Sequence, residues 1–399
     1  MGRWAAEPSN PPRGATAWAR TRGLPLPEIG AWALALPYFV YGWFVLPLAF
    51  EAAALLRRRR VTLGGPQLAG LAVAAYAFFN LAWVAPSWRT GCELAWGDFA
   101  RWRLRELVPM GALVIAAGVP AANHLRYRQA LLQVGAVLSA LEALEFVSAT
   151  LGGPTPLGLV RLDISGYYFF HAWLGAHNAA GALFAALAAL ALDLAITGDG
   201  PPWVAVALAA GVLMSGSRSA YLGLVAAALF IAILRRAPLQ QALQRRLTTR
   251  GGVMAAAGAA MLLAVAAAAT PAGQRLLELA GGLGVTGKAR IELWEQGVAA
   301  FLSNPVWGVG WGNYGCFAVG LFAQGVFAHA HNSYLHVAAE LGGVGLVLMG
   351  VWLTLLVRTL RDARQFGLIA AFVAIAVSSL LEHNFGAPTV TAPLFVLFG

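Results

Sequence analysis

The sequence predicts an all-α fold: a polytopic transmembrane helical bundle of about 12 spans, with one large, partly helical loop late in the chain. Three observations carry this. Of 399 residues, 59% are hydrophobic and only 11% are charged, against roughly 25% charge in an average soluble domain. Ala/Leu/Val-rich blocks recur along the chain, most near the ~20 residues a helix needs to cross a bilayer. Lipid offers backbone groups no hydrogen-bond partner, so such blocks close their bonds internally as helices; the alternation of a membrane β-barrel is absent.

Taken in order, residues 1–24 lack an apolar core, so they read as a short cytoplasmic tail rather than a signal peptide. Spans are expected near 25–40, 42–56, 61–84, 106–121, 129–150, 177–196, 202–217, 219–234 and 252–270. A large outer loop follows over 271–333, then spans near 334–357, 366–382 and 387–399. Charge decides the first pair. Arg13, Arg20 and Arg22 precede that block and Arg57 to Arg60 follow it, so both ends sit on the Arg-rich inner side and two short spans intervene. The same rule places Arg126/Arg128, Arg235/Arg236, Arg245/Arg246/Arg250 and Arg358/Arg361/Arg364 inside. Arg101, Arg103 and Arg105 dissent. They interleave with Trp96 and Trp102 in an outer loop that can lie flat on the interface. The large loop holds two expected helices, one opening after Pro271 and one over about 288–303, stopped by Asn304-Pro305. The net charge of +10 is a topology signal, not a nucleic-acid surface, because no soluble basic domain exists to carry one. Cys92 and Cys316 both fall in outer loops, where a disulfide or two unpaired thiols would fit.

Polar residues collect at the outer ends of the spans. Arg218 sits in Ser215-Gly216-Ser217-Arg218-Ser219, between two spans joined almost without a loop. A charge so close to hydrocarbon is costly without a partner. A ligand in a small-residue cradle would supply one; snorkelling to lipid phosphates is the simpler use. Arg290 opens the amphipathic loop helix. His331 precedes Asn332-Ser333, where the tenth span begins. A helix N-terminus and nearby Arg both disfavour imidazolium, the condition a general base needs. Three His-Asn dipeptides, at His177, His331 and His383, all lie at outer span ends, and Arg161, Asp163 and His171 share the loop before His177. Two Arg forks and a neutral His suit a diphosphate leaving group and a hydroxyl nucleophile. His329, His331 and His336 could instead bind a metal, but a five-residue separation is poor for one helix face; no metal or other cofactor is expected. Glu142 and Glu145 share a face of the fifth span, where acids mark either an ion route or pairing with an Arg such as Arg161 or Arg218.

These residues resemble a known family. His331-Asn332, nine residues, then Gly342-Gly343-Val344-Gly345 resembles the His-Asn pattern of bacterial O-antigen ligases. Ser215 to Arg218 is similar to the Ser-x-Ser-Arg motif of the ligase and polymerase superfamily. So is Arg290 to Trp294 followed by Asn304-Pro305-x-x-Gly308-x-Gly310, and the stretch from Arg161 through Gly166 to His177-Asn178. The resemblance spans about 150–350. It implies a membrane-embedded, GT-C-like, inverting and metal-independent glycosyltransferase of the bacterial inner membrane, working at the periplasmic face. The donor would be O-antigen on undecaprenyl diphosphate, and the acceptor a sugar hydroxyl of lipid A–core. His331 would activate the acceptor, Arg218 and Arg290 would hold the diphosphate, and Arg161 and His177 are secondary binding candidates. An O-antigen polymerase or a protein O-oligosaccharyltransferase would use the same donor. A lipid-glycan or small-solute transporter would instead concentrate polar groups at mid-membrane.

Overall fold

The computed structural model describes residues 63–88, 104–117, 121–162, 168–170, 177–237, 239–240, 285–317 and 329–398. Ten helices of nine residues or more lie among them: α1 (Gly65–Trp83), α2 (Val108–Ala116), α3 (Ala121–Thr150), α4 (His177–Thr197), α5 (Pro202–Met214), α6 (Arg218–Leu234), α7 (Val285–Ser303), α8 (Ser333–Asp362), α9 (Phe366–Ser378) and α10 (Pro388–Phe398). The expected spans 25–40, 42–56 and 252–270 and the loop helix after Pro271 lie outside the described residues. So do Cys92 and the dissenting Arg101 and Arg103.

Local chemistry sets the boundaries. Pro202 opens α5, where its fixed φ and missing N–H cost nothing. Ser217 caps α6, its hydroxyl accepting from the Ala220 N–H at 3.3 Å. Asn332 caps α8, its side-chain oxygen accepting from Tyr334 and Leu335 N–H at 3.0 Å each.

Among the described residues four helices are long and apolar enough to cross a membrane, and α5, α6 and α9 are shorter apolar helices. The count of 12 spans is therefore not reproduced among the described residues. A 13-residue helix such as α5 rises only about 20 Å of a ~30 Å hydrocarbon core. At the expected spans 202–217, 219–234 and 366–382 the chain packs the short helices α5, α6 and α9 against the longer α4. Helix α4 is the centre: it is apolar on every face, and residues 179–191 are buried throughout. Its alanines let α5, α6 and α9 approach closely.

One element departs from the all-α expectation. In the loop before α4, β1 (Val160–Leu162) pairs antiparallel with β2 (Tyr168–Phe170), Arg161 opposite Phe169. Glu145 holds its entry. One carboxylate oxygen accepts from the Leu157 and Gly158 N–H groups, the other from Leu159 at 2.6 Å and Val160 at 3.1 Å. The expected Arg pairing of Glu145 is thus replaced by backbone amides. Glu142, fully buried, has neither carboxylate oxygen hydrogen-bonded among the described residues, so it too lacks the expected Arg.

Helix α8 breaks at Gly342 (φ 64°, ψ −165°). The segment after α7 fills the break: the N–H groups of Val309 and Gly310 donate to the carbonyls of Ala339 and Glu340, and the Gly343 N–H donates to the Pro305 carbonyl, at 2.8–3.0 Å. A Cβ at Gly308 or Gly342 would overlap the backbone of the opposing strand of chain. The Asn304-Pro305-x-x-Gly308-x-Gly310 and Gly342-Gly343 motifs are therefore two halves of one joint.

Candidate active site

The start of α4, the turn before α6, the start of α8 and the connector after α9 meet at one end of the bundle. Ser333 ties two of them. Its N–H donates to the Ser379 carbonyl at 2.9 Å, its hydroxyl donates to the Glu382 carbonyl at 3.2 Å, and that hydroxyl accepts from the Phe385 N–H at 3.3 Å. Gly181, one turn into α4, lies against Ser215, Ser217 and Ala220. Three helix N-termini thus direct their partial positive charge at the same region, which favours an anion there.

His331 stands just outside the α8 cap with φ 48°, the left-handed region that a non-glycine residue enters at a cost of order 1 kcal/mol and that clusters at functional sites. Its Nδ1 lies 2.7 Å from Glu382 Oε1. The other carboxylate oxygen accepts from Asn178 Nδ2 at 2.6 Å and from Arg290 at 3.4 Å. One carboxylate therefore joins α4, α7 and the start of α8. Burial alone would raise the pKa of Glu382. The His331 ring, the Arg290 guanidinium and the His383 N–H outweigh that and hold it down at about 2, so it is charged at neutral pH.

Of the five expected site residues, the structure brings His331 and Arg290 together through Glu382. Arg218 opens α6 at the same end. The serines before it do not line a ligand cradle as the sequence suggests. Ser215, Ser217 and Ser219 are buried and spend their hydroxyls on the turn: Ser215 donates to the Val212 carbonyl at 2.6 Å, and Ser217 and Ser219 share a 3.0 Å hydrogen bond. They shape the turn that presents Arg218. His177 is the first residue of α4, beside Asn178. Arg161 is placed by its backbone in β1, its side chain outside the described residues, as are His171 and Asp163.

The His329, His331 and His336 trio, the alternative metal set, is split. His329 and His331 face Glu382, while His336 lies with His383 and Glu106. The five-residue step from His331 to His336 sends the rings to different sides. Ring contacts bridge the two groups: His329–His331 and His336–His383 meet edge to face with centroids 4.5 and 4.4 Å apart, and His329 stacks on His383 at 5.2 Å.

The residues that sequence reasoning missed are acids: Glu382, Glu106 and Glu340. Glu340, 1% exposed inside α8, accepts from the Gly312 and Tyr314 N–H groups at 2.9 and 3.0 Å. The signal for Glu382 was its place directly before His383-Asn384 at the end of an apolar run, where a lone carboxylate has no solvent-facing reason to be.

A search of curated proteins finds no match to this chain. A family model described as O-antigen ligase matches residues 203–350. That range takes in Arg218, Arg290, His331 and both halves of the Gly308/Gly342 joint, and leaves Glu382 outside. Over residues 203–350 the chain is thus similar to the O-antigen ligase family.

Proposed function

We propose that the protein transfers a glycan from undecaprenyl diphosphate to a sugar hydroxyl of lipid A–core, at the periplasmic face of the bacterial inner membrane. The observation that carries this reading is the triad of His331, Glu382 and Arg290, with Arg218 opening a helix at the same end of the bundle. The similarity to O-antigen ligases over residues 203–350 supports the reaction class, glycan transfer from a lipid-linked donor.

The chemistry follows from the atoms. With Nδ1 2.7 Å from Glu382 Oε1, His331 is set to keep its proton on Nδ1, the tautomer whose Nε2 lone pair takes the acceptor's proton. Nε2 removes the acceptor hydroxyl proton as that oxygen attacks the anomeric carbon. The bond to the diphosphate oxygen breaks on the opposite face, so configuration inverts and undecaprenyl diphosphate leaves with the electron pair. Arg218 and Arg290 meet the charge that grows on its oxygens, aided by the converging helix N-termini. Arg290 is suited to this because a guanidinium can hold Glu382 on one edge and phosphate on the other.

Purified protein with undecaprenyl-diphosphate glycan, offered lipid A–core and lipid-linked glycan as separate acceptors, tests the reading. Product on lipid A–core is expected. Product only on the lipid-linked glycan would make the protein a polymerase, and no product with either would end the proposal. With arginines supplying the positive charge, transfer is expected to continue in EDTA at a temperature where the chelated protein stays folded; loss under that condition, restored by one divalent ion, would overturn the metal-independent step.

A further inference from the structure

We propose that Glu106, His336 and His383 bind one divalent transition-metal ion, of the Zn²⁺ class, as a structural clamp separate from the transfer chemistry. The three residues come from distant parts of the chain: the 3₁₀ turn Leu104–Leu107, the first half of α8, and the connector after α9. Their ligand atoms lie within 4.8 Å of one another. Glu106 Oε1 is 3.3 Å from His383 Nε2 and 3.8 Å from His336 Nε2. The edge of a tetrahedron around Zn²⁺ is about 3.3–3.5 Å, from metal–ligand bonds near 2.0–2.2 Å. The two separations from Glu106 Oε1 therefore lie near that edge length, and the third is within 4.8 Å. Two imidazoles and one carboxylate favour zinc over magnesium or calcium, which take oxygen ligands.

The surroundings argue for a cation here rather than at the neighbouring His329/His331/Glu382 group. Glu382 already faces Arg290 at 3.4 Å, a charge that would repel a second cation. The other oxygen of Glu106 accepts from the Trp311 indole at 2.9 Å, a neutral donor that orients the carboxylate and leaves Oε1 aimed at the imidazoles. Glu340 brings a second carboxylate, its Oε2 3.5 Å from His336 Nε2. His336 and His383 are 2% and 8% exposed. The group lines a cavity of about 60 Å³ shared with Met110, Leu341, Trp352 and Phe385, which has room for a water as fourth ligand. Gly386 is needed for this arrangement, because a Cβ there would overlap the His383 ring.

The test uses full-length protein purified through a tag that binds no metal. Metal content is measured by mass spectrometry, and visible absorption is recorded after exchange to Co²⁺. About one ion per chain and the d–d bands of a tetrahedral Co²⁺ site are expected. E106Q, H336A and H383A should cut occupancy at least tenfold, in line with loss of a ligand. H331A should keep the ion while losing transfer. Chelation should lower Tm, and added ZnCl₂ should restore it in the wild type but not in E106Q, which keeps the shape of the side chain. Absence of bound metal together with no Tm response to Zn²⁺ would overturn the proposal. Undiminished occupancy in E106Q and H383A with loss in H331A would overturn it too, by placing the ion at His329, His331 and Glu382. These readouts do not depend on which acceptor the enzyme uses.

Discussion

Glu382 gathers three groups that separate helices deliver: Asn178 from α4, Arg290 from α7 and His331 at the head of α8. Its charge sets two expectations. His331→Ala should lower the single-turnover rate on the order of 10²–10⁴-fold, the usual worth of a general base, with donor affinity nearly unchanged. Arg218→Ala and Arg290→Ala should weaken donor binding, and Lys should rescue only partly because an ammonium cannot form the bidentate fork. Normal donor affinity with slow transfer in the Arg variants would shift their role to the leaving diphosphate in the transition state. The second expectation concerns pH. Glu382 is held down at about 2 in the folded protein from an ordinary 4.5, so between those values the unfolded chain binds the extra proton. Stability is then fully present above about pH 4.5 and falls as pH drops toward 2. Thermal melts over that window should show a shallower loss in Glu382→Gln, and equal slopes would refute the charge assignment. The basic half of this site was legible because Arg and His at span ends have few structural excuses. The acidic half was not. A single Glu after an apolar run carries no periodicity, and its partners lie up to 204 positions away.

At the scale of elements, the joint between the segment after α7 and the break in α8 fixes where His331 stands. The short helix from Ser333 to Leu341 is a spacer of set length: Asn332 caps one end and Gly342 breaks the other. Asn80 of α1 clamps the outside of the joint, its amide donating to the Trp307 carbonyl at 2.7 Å and its oxygen accepting from the Trp311 N–H at 2.6 Å. Asn80 is fully buried, so Asn80→Ala orphans two backbone groups at about 1–3 kcal/mol each. A clear fall in Tm is expected, with reduced transfer even though no site residue is changed. Gly342→Ala should be worse, since it combines a left-handed φ with overlap against Val306 and Gly308. Wild-type Tm in either variant would show that the joint does not hold the site. The helices themselves were readable from sequence: Pro202, the Ser215 to Ser219 turn, Asn304-Pro305 and Asn332 mark ends that the structure keeps within a few residues. Unreadable were the Gly342 break, since Gly-Gly inside an apolar run also suits a straight membrane helix, and the β1–β2 pair, whose three-residue strands are too short for period-2 alternation.

Across the whole molecule the bundle is electrically polar. Glu382, His331, Arg290 and the starts of α4, α6 and α8 occupy one end. At the other, Asp193 near the end of α4 holds Arg235 just past α6, at 2.8 and 3.2 Å, with the guanidinium 5.1 Å from the Phe366 ring centre. Arg236, Arg358, Arg361 and Arg364 lie toward that second end too, because each follows a helix that starts at the first or lies near its close. Arginine collects on the side of the membrane that is not crossed during insertion, so the Asp193–Arg235 end is expected to face the cytoplasm and the Glu382 end the periplasm. This orientation decides whether the site can meet a lipid-linked glycan presented outside. Single cysteines at Gln324 and Gln241, in a background lacking Cys92 and Cys316, test it in intact cells with a membrane-impermeant maleimide. The loop position, which precedes His331, should label from outside. The position after α6 should label only once the membrane is opened. Labelling of both from outside would overturn the topology and, with it, the placement of the site. Labelling of Gln241 alone would invert the bundle and give the His331 cluster a cytoplasmic substrate.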